Sequence, residues 1–130
     1  MLPSITRMLS AGALCLLMSP PALADDPFIF PIIEKVDGDF DTCALGEVTG
    51  LKTEGDGFLA VRSGPGTIFA KIDEIHNGDR VYMFTQVGEW IGIAYETETQ
   101  DCSPIEQDRA METTGKKGWV HENWIRVIAG

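Results

Sequence analysis

Short apolar segments bounded by glycine-rich turns recur along the chain from residue 58 onward. Four such segments occur, at residues 58–62, 80–85, 90–95 and 118–125. Each is β-prone, and no long stretch repeats its apolar residues with the 3.6-residue period of a helix. Short strands with turn residues between them are typical of an all-β fold, and here they predict a small barrel.

The segment 90–95 shows the clearest alternation. Its side chains fall on two faces, with Ile91, Ile93 and Tyr95 on one and Trp90, Gly92 and Ala94 on the other. Successive side chains of a strand point to opposite faces of the sheet. We therefore expect one of these two faces to line the core.

Residues 96–115 interrupt this rhythm. They form a 20-residue insertion, where neighbouring strands are usually joined by about 2–5 residues. Ser103, Pro104 and Glu106 have the spacing of a helix N-terminus, with a capping serine, a proline at the first helical position and a glutamate three residues after the serine. The pattern predicts a short helix at residues 104–111.

An apolar segment and an acidic turn precede the first predicted strand. Residues 27–33 are apolar and β-prone but contain two prolines, Pro27 and Pro31, which predicts an edge strand or an extended strap. Three aspartates follow within residues 37–41. A calcium loop starting at Asp37 would need Gly and Glu where the chain has Thr42 and Val48, so a solvated acidic turn is favoured.

Residues 1–24 have the pattern of a secretory signal peptide, with Arg7, an apolar run over residues 8–18 and a cleavage site after Ala24. The apolar run is short for a membrane anchor, which needs about 20 residues. A lipoprotein signal would use Cys15, but Leu14 stands where a small residue is expected. We expect a periplasmic or secreted protein.

Cleavage leaves 106 residues with 9 Lys and Arg against 20 Asp and Glu, a net charge of −11. A nucleic-acid partner is excluded on this ground, because such proteins need basic patches. Anionic lipid would also repel the chain, so we expect no stable membrane insertion after cleavage. His76 and His121 have no third ligand at a zinc-like spacing, and neither a metal nor another cofactor is expected.

Cys43 and Cys102 are the two cysteines that remain after cleavage. In an oxidising compartment such a pair is most simply a disulfide. Closing a loop of this length contributes about 4 kcal/mol in the chain-entropy model. The alternative is a catalytic thiolate at one of the two, paired with His76 or His121, although neither cysteine lies in a known nucleophile motif.

Four successive motifs resemble those of the bacterial SH3-like (SH3b) domain. They are LAVRSGPGT at residues 59–67, GDRV at 78–81, GEWI at 88–91 and GWVH at 118–121. The resemblance covers about residues 57–97 and 116–127. It predicts an N-terminal extension at 25–56, then an SH3-like barrel at 57–130 that contains the insertion 96–115.

SH3-like folds bind extended peptides in an aromatic-lined groove, and the resemblance gives Trp90 and Trp124 groove-like positions. Arg62, beside the glycine-rich turn, and His121, in the last motif, complete the candidate ligand-binding residues. The alternative is that both indoles are core residues and that Arg62 pairs with a surface carboxylate.

These observations favour an exported, non-enzymatic binding module. The resemblance to SH3b domains implies that its ligand is a cell-wall stem peptide or an envelope protein. Stem peptides carry carboxylates and would be repelled by a charge of −11, which favours a protein partner. The alternative is an acidic inhibitor or immunity protein that blocks a basic secreted hydrolase. An enzyme is the third hypothesis. We expect the insertion and the acidic strap to face the partner.

Overall fold

The computed structural model describes residues 28–52 and 57–130, so the predicted signal peptide, residues 1–24, lies outside the described residues. Within them the strands are β1 (Ile33–Glu34), β2 (Ala44–Val48), β3 (Leu59–Arg62), β4 (Lys71–Ile75), β5 (Arg80–Val87), β6 (Trp90–Tyr95), β7 (Arg109–Ala110), β8 (Lys116–His121) and β9 (Ile125–Ala129). A 3₁₀ helix, Glu122–Trp124, joins β8 to β9. The all-β prediction is confirmed.

Seven strands form one antiparallel sheet in the order β4-β3-β8-β6-β5-β2-β9, and β1 pairs with β7 in a separate two-stranded sheet. β5, β6 and β8 form the centre of the seven-stranded sheet, where Ile91 of β6 lies opposite Val120 of β8. β2 comes from the predicted extension, 25–56, yet it lies between β5 and β9. The extension therefore contributes one strand, β2, to the main sheet.

Both faces of β6 are packed. Ile91, Ile93 and Tyr95 join the main core, together with Val48, Leu59, Val61, Ile75, Val81 and Val120. On the opposite face, Ala94 packs in a second cluster with Ile32, Met111 and Trp119. The alternation predicted for residues 90–95 is present, but the second face is covered as well because residues 28–34 cross it.

Residues 28–34 form the strap, an extended segment that lies over this second face. The Phe30 N–H donates to the Ser63 carbonyl at 2.6 Å, and the Trp119 Nε1–H donates to the Phe30 carbonyl at 2.9 Å. Ile32 packs directly on Gly92, where an added Cβ would lie 2.6 Å from the Ile32 Cγ2. Glycine at this position therefore lets the strap approach the sheet.

The prediction of a short helix at residues 104–111 is wrong. Arg109–Ala110 is instead strand β7, which pairs with Ile33–Glu34, and the Met111 N–H donates to the Ile32 carbonyl at 2.9 Å. Met111 is buried against the strap. The hydrogen bonds and burial gained by pairing with the strap outweigh the local capping sequence, as tertiary contacts often do.

Cys43 and Cys102 form a disulfide, with their Cα atoms 5.0 Å apart, as predicted. The Thr42 N–H donates to the Cys102 carbonyl at 2.8 Å beside it. The bond therefore ties the end of the acidic turn to the middle of the insertion. A bonded cysteine cannot act as a thiolate nucleophile, which removes the basis of the catalytic-cysteine alternative.

None of the helices in the described part of the chain is long and apolar enough to cross a membrane.

We predict that protein beginning at Asp25, denatured without reductant, contains no free thiol, because Cys43 and Cys102 are its only cysteines and are bonded. Replacing both by serine is expected to lower the free energy of unfolding by about 4 kcal/mol. Thiol titration and urea unfolding measure the two quantities. Two titratable thiols per chain would contradict the disulfide.

Candidate functional site

The strap–insertion surface, which we define as residues 34–43 and 101–110, is the most distinctive surface of the molecule. Two segments distant in sequence are joined here by the disulfide and by the β1–β7 pairing. A third connection runs from the Val36 N–H to Asp108 Oδ1, at 2.9 Å. Neither segment has a regular element longer than two residues, so these links determine its shape.

A buried carboxylate lies beneath this surface. Glu34 is 3% exposed and accepts hydrogen bonds from Arg109 Nε at 2.8 Å and from Thr42 Oγ1 at 2.6 Å. The bond to Glu34 raises the pKa of Arg109. A carboxylate removed from water needs such partners, and here they come from both segments of the surface.

The exposed part of the surface is acidic. Its exposed carboxylates belong to Asp37, Asp39, Asp41, Asp101, Glu106 and Asp108. Phe40 lies among them with 73% of its surface exposed. An exposed aromatic ring surrounded by carboxylates suits contact with a partner that offers both apolar and basic groups.

A cleft of about 540 Å³ runs from this acidic turn to the end of β9. Its lining includes Asp37, Asp39, Phe40 and Asp41 of the acidic turn together with Met83, Phe84 and Gly130. Across residues 28–52 and 57–130, no group of three or more His, Cys, Asp or Glu side chains has the arrangement of a metal site. We call this cleft the negatively charged groove, because three aspartates line it.

Trp90 and His121 are brought together, as opposed residues of β6 and β8. Their rings meet edge to face, with centroids 5.4 Å apart. Both ring nitrogens of His121 have partners: Nε2 lies 3.2 Å from Glu89 Oε2, and Nδ1 accepts from the Asn123 N–H. Trp90 is half-buried and packs against the second cluster, that of Ile32, Ala94, Met111 and Trp119.

Trp124 lies elsewhere. It is 38% exposed, and its indole lies over Gly50, just after β2. Its carbonyl accepts from the Thr49 N–H at 2.9 Å. The structure thus places Trp90 beside the strap and Trp124 beside the β2 end, in two different surroundings.

Arg62 supports the turn between β3 and β4. Its Nη1 donates to the Phe69 carbonyl at 2.9 Å, while its Nε is buried without a hydrogen-bond partner among the described residues. Ile68, at the tip of this turn, is 91% exposed. Among the described residues, Arg62 therefore bonds to a backbone carbonyl rather than to the surface carboxylate of the alternative interpretation, and its guanidinium holds the loop in place.

Sequence reasoning missed a cleft of about 610 Å³ between β4 and the start of β8, lined by Ile29, Ile72, Asp73, Tyr95, Gly115, Lys116 and Lys117. Asp73 Oδ2 accepts from the Tyr95 hydroxyl at 2.8 Å and lies 3.4 Å from Lys116 Nζ. β4, which supplies Asp73, carries three charged side chains among five residues and has no strand-like pattern.

Burial and hydrogen bonds within this cleft shift the pKa values of Asp73, Tyr95 and Lys116. Burial opposes ionisation of Asp73, yet hydrogen bonds from the Glu74 N–H, the Tyr95 hydroxyl and Lys116 together hold its pKa below the usual value. Burial and the bond to Asp73 raise the pKa of Tyr95. Hydrogen bonds to Glu96 and Asp73 raise that of Lys116. The cleft therefore holds an ionised Asp73 carboxylate between a neutral tyrosine and an ionised lysine.

We predict that Trp90→Ala lowers the free energy of unfolding by about 3 kcal/mol, because it removes packing against the strap and His121. Trp124→Ala is expected to cost about 1 kcal/mol, since its ring is partly exposed. Urea unfolding of both variants, with Trp90→Phe as a control that keeps a ring, measures the difference. An equal or larger loss for Trp124→Ala would contradict the placement of the two rings.

No family model matches this chain, and no curated protein or solved structure is significantly similar to it.

Proposed function

We propose that this protein is an exported, non-enzymatic binding module, built on an SH3-like barrel, whose partner in the cell envelope is a basic protein. The observation that carries the proposal is the strap–insertion surface. It is acidic, exposes Phe40 and is held together by a disulfide and a buried carboxylate.

The SH3-like assignment draws support from where the four motifs lie. The SGPG sequence forms the turn between β3 and β4, GDRV leads into β5, GEWI leads into β6 and GWVH lies within β8. The strands are short and antiparallel, as in small barrels of this type. Export draws support from the disulfide, since such bonds persist in oxidising compartments.

The charge of the chain supports a basic partner over a wall peptide. Carboxylates on the strap–insertion surface attract Lys and Arg side chains over about 8–10 Å at moderate ionic strength and accelerate encounter. An acidic stem peptide would be repelled by the same field. The strap also covers the sheet face on which Trp90 lies, which favours the strap–insertion surface over a groove on that face.

The way this surface is held supports binding by a preorganised site. Ordering flexible segments on association costs free energy that is lost from affinity. The disulfide, the β1–β7 pairing and the Glu34 contacts order both segments before a partner arrives. Phe40 is then a suitable anchor, because aromatic side chains often dominate the binding energy of an interface.

An inhibitor of a basic secreted hydrolase is the second proposal, because the same acidic surface supports it. The two differ in the identity of the partner and in whether binding blocks catalysis. Assaying wall-hydrolase activity of the captured protein, with and without an excess of this chain, separates them.

We predict that Asp37→Asn, Asp39→Asn and Asp41→Asn together abolish capture of the partner from cell-envelope extract, because they remove three carboxylates around Phe40. The matched control is Glu74→Gln, Glu89→Gln and Glu98→Gln, which changes the net charge equally at other sites. The control and the unaltered protein should capture the same basic protein, and less of it at higher salt.

A peptidoglycan sedimentation assay runs beside the capture. Sedimentation of the unaltered protein with purified wall, together with equal capture by both triple variants, would contradict the proposal.

A further inference from the structure

The outer edge of β9 is open. β9 is the last strand of the seven-stranded sheet and pairs only with β2 among the described strands. The opposite edge, β4, carries Lys71, Asp73 and Glu74, and charges of this kind discourage pairing with another strand. β9 has a single charged residue, Arg126, whose Nη2 donates to Glu47 Oε2 at 2.7 Å.

The ladder shows which backbone groups of β9 point outward. The Thr49 N–H donates to the Trp124 carbonyl, and the Val48 N–H donates to Asp79, on the β5 side. Hydrogen-bonded and non-hydrogen-bonded pairs alternate along an antiparallel ladder. The pairs Val48↔Ile125 and Gly46↔Val127 are therefore non-hydrogen-bonded. The N–H and carbonyl of Val127 point away from β2.

The side chains along this edge are apolar and exposed. Val127 is 62% exposed and Ile128 is 40% exposed. Ile128 lies at an irregularity in the pairing, because Gly46 is opposite Val127 while Leu45 is opposite Ala129. A partner strand would therefore meet free backbone groups and two branched aliphatic side chains together.

The edge is continuous with the negatively charged groove. Gly130 directly follows β9 and lines the same cleft as Asp37, Asp39 and Asp41. A strand that runs along β9 therefore has one end beside these carboxylates. This placement favours an occupant with Lys or Arg at that end and disfavours a second copy of this chain, because two strongly acidic molecules repel each other.

We infer that β9 binds its partner by strand addition: an extended segment of the basic partner pairs with Val127 and places basic residues on Asp37, Asp39 and Asp41. This inference rests on the proposed function and specifies its binding mode. Every pair in the sheet is antiparallel, and a segment that pairs with β9 in this way has its N-terminal end beside Gly130. The segment accordingly begins with basic residues and continues with β-branched ones.

The test uses a fluorescent peptide that begins Lys-Lys and continues Val-Thr-Val-Thr-Val, and a second peptide in which Glu-Glu replaces Lys-Lys. Val127→Pro removes the outward N–H, a change that edge strands tolerate. Val127→Ala shortens the side chain and keeps the N–H. Fluorescence anisotropy is expected to show binding of the basic peptide only, weakened at least about tenfold by Val127→Pro and no more than about threefold by Val127→Ala. Equal binding by the Pro variant, or equal losses in both variants, overturns strand addition.

Hydrogen exchange of the unaltered protein provides a measurement that does not depend on folding of the Pro variant. The Val127 amide should exchange rapidly in the free protein and become protected when the basic peptide is added. Protection in the free protein that grows with protein concentration would indicate pairing of two copies and overturn the inference. If Val127→Pro captures the envelope partner normally while the Asp37, Asp39 and Asp41 variant does not, strand addition fails and the proposed function stands.

Discussion

A single buried carboxylate, that of Glu34, determines how the two unusual segments of this molecule fit together. Its charge is removed from water and must be met by hydrogen-bond donors. Arg109 from the insertion and Thr42 from the end of the acidic turn supply them. The same contacts align Glu34 opposite Arg109 in the two-stranded sheet. The disulfide between Cys43 and Cys102 joins the same two segments covalently at the end of the acidic turn.

The consequences extend into the main sheet. Because the insertion is drawn to the strap, Met111 and Ile32 pack over the face of β6 and β8 that carries Ala94 and Trp119. The indole N–H of Trp119 donates to the Phe30 carbonyl, so a buried residue of β8 is hydrogen-bonded to the strap backbone. The acidic turn is thereby placed beside the end of β9, where the open strand edge and the carboxylates form one continuous surface.

The central strands could be predicted from the sequence because alternation and glycine boundaries both mark them, and Trp90–Tyr95 lies within its predicted limits. β4 could not, because an edge strand carries charges that resemble a loop. The helix expected at residues 104–111 failed because capping is a local signal, whereas pairing with Ile33 and Glu34 is not visible in the sequence.

The disulfide could be predicted by counting the cysteines, and the acidic turn and the insertion could be recognised from their charge and length. The open edge of β9 could not be predicted, because the residue pattern of a strand does not show which strands it will pair with. Nor could the spacing of Trp90 and Trp124 reveal that the strap would lie beside one ring and Gly50 beside the other.

Hydrogen exchange in Glu34→Gln tests most directly whether the strap and insertion form one unit that depends on this carboxylate. The amides of Val36, Thr42 and Met111, which bond across the two segments, should exchange faster together, by more than about tenfold. Amides of β5, β6 and β8 should keep their protection. Unchanged exchange at the three amides, or an equal loss of protection throughout the sheet, would contradict the central role of Glu34.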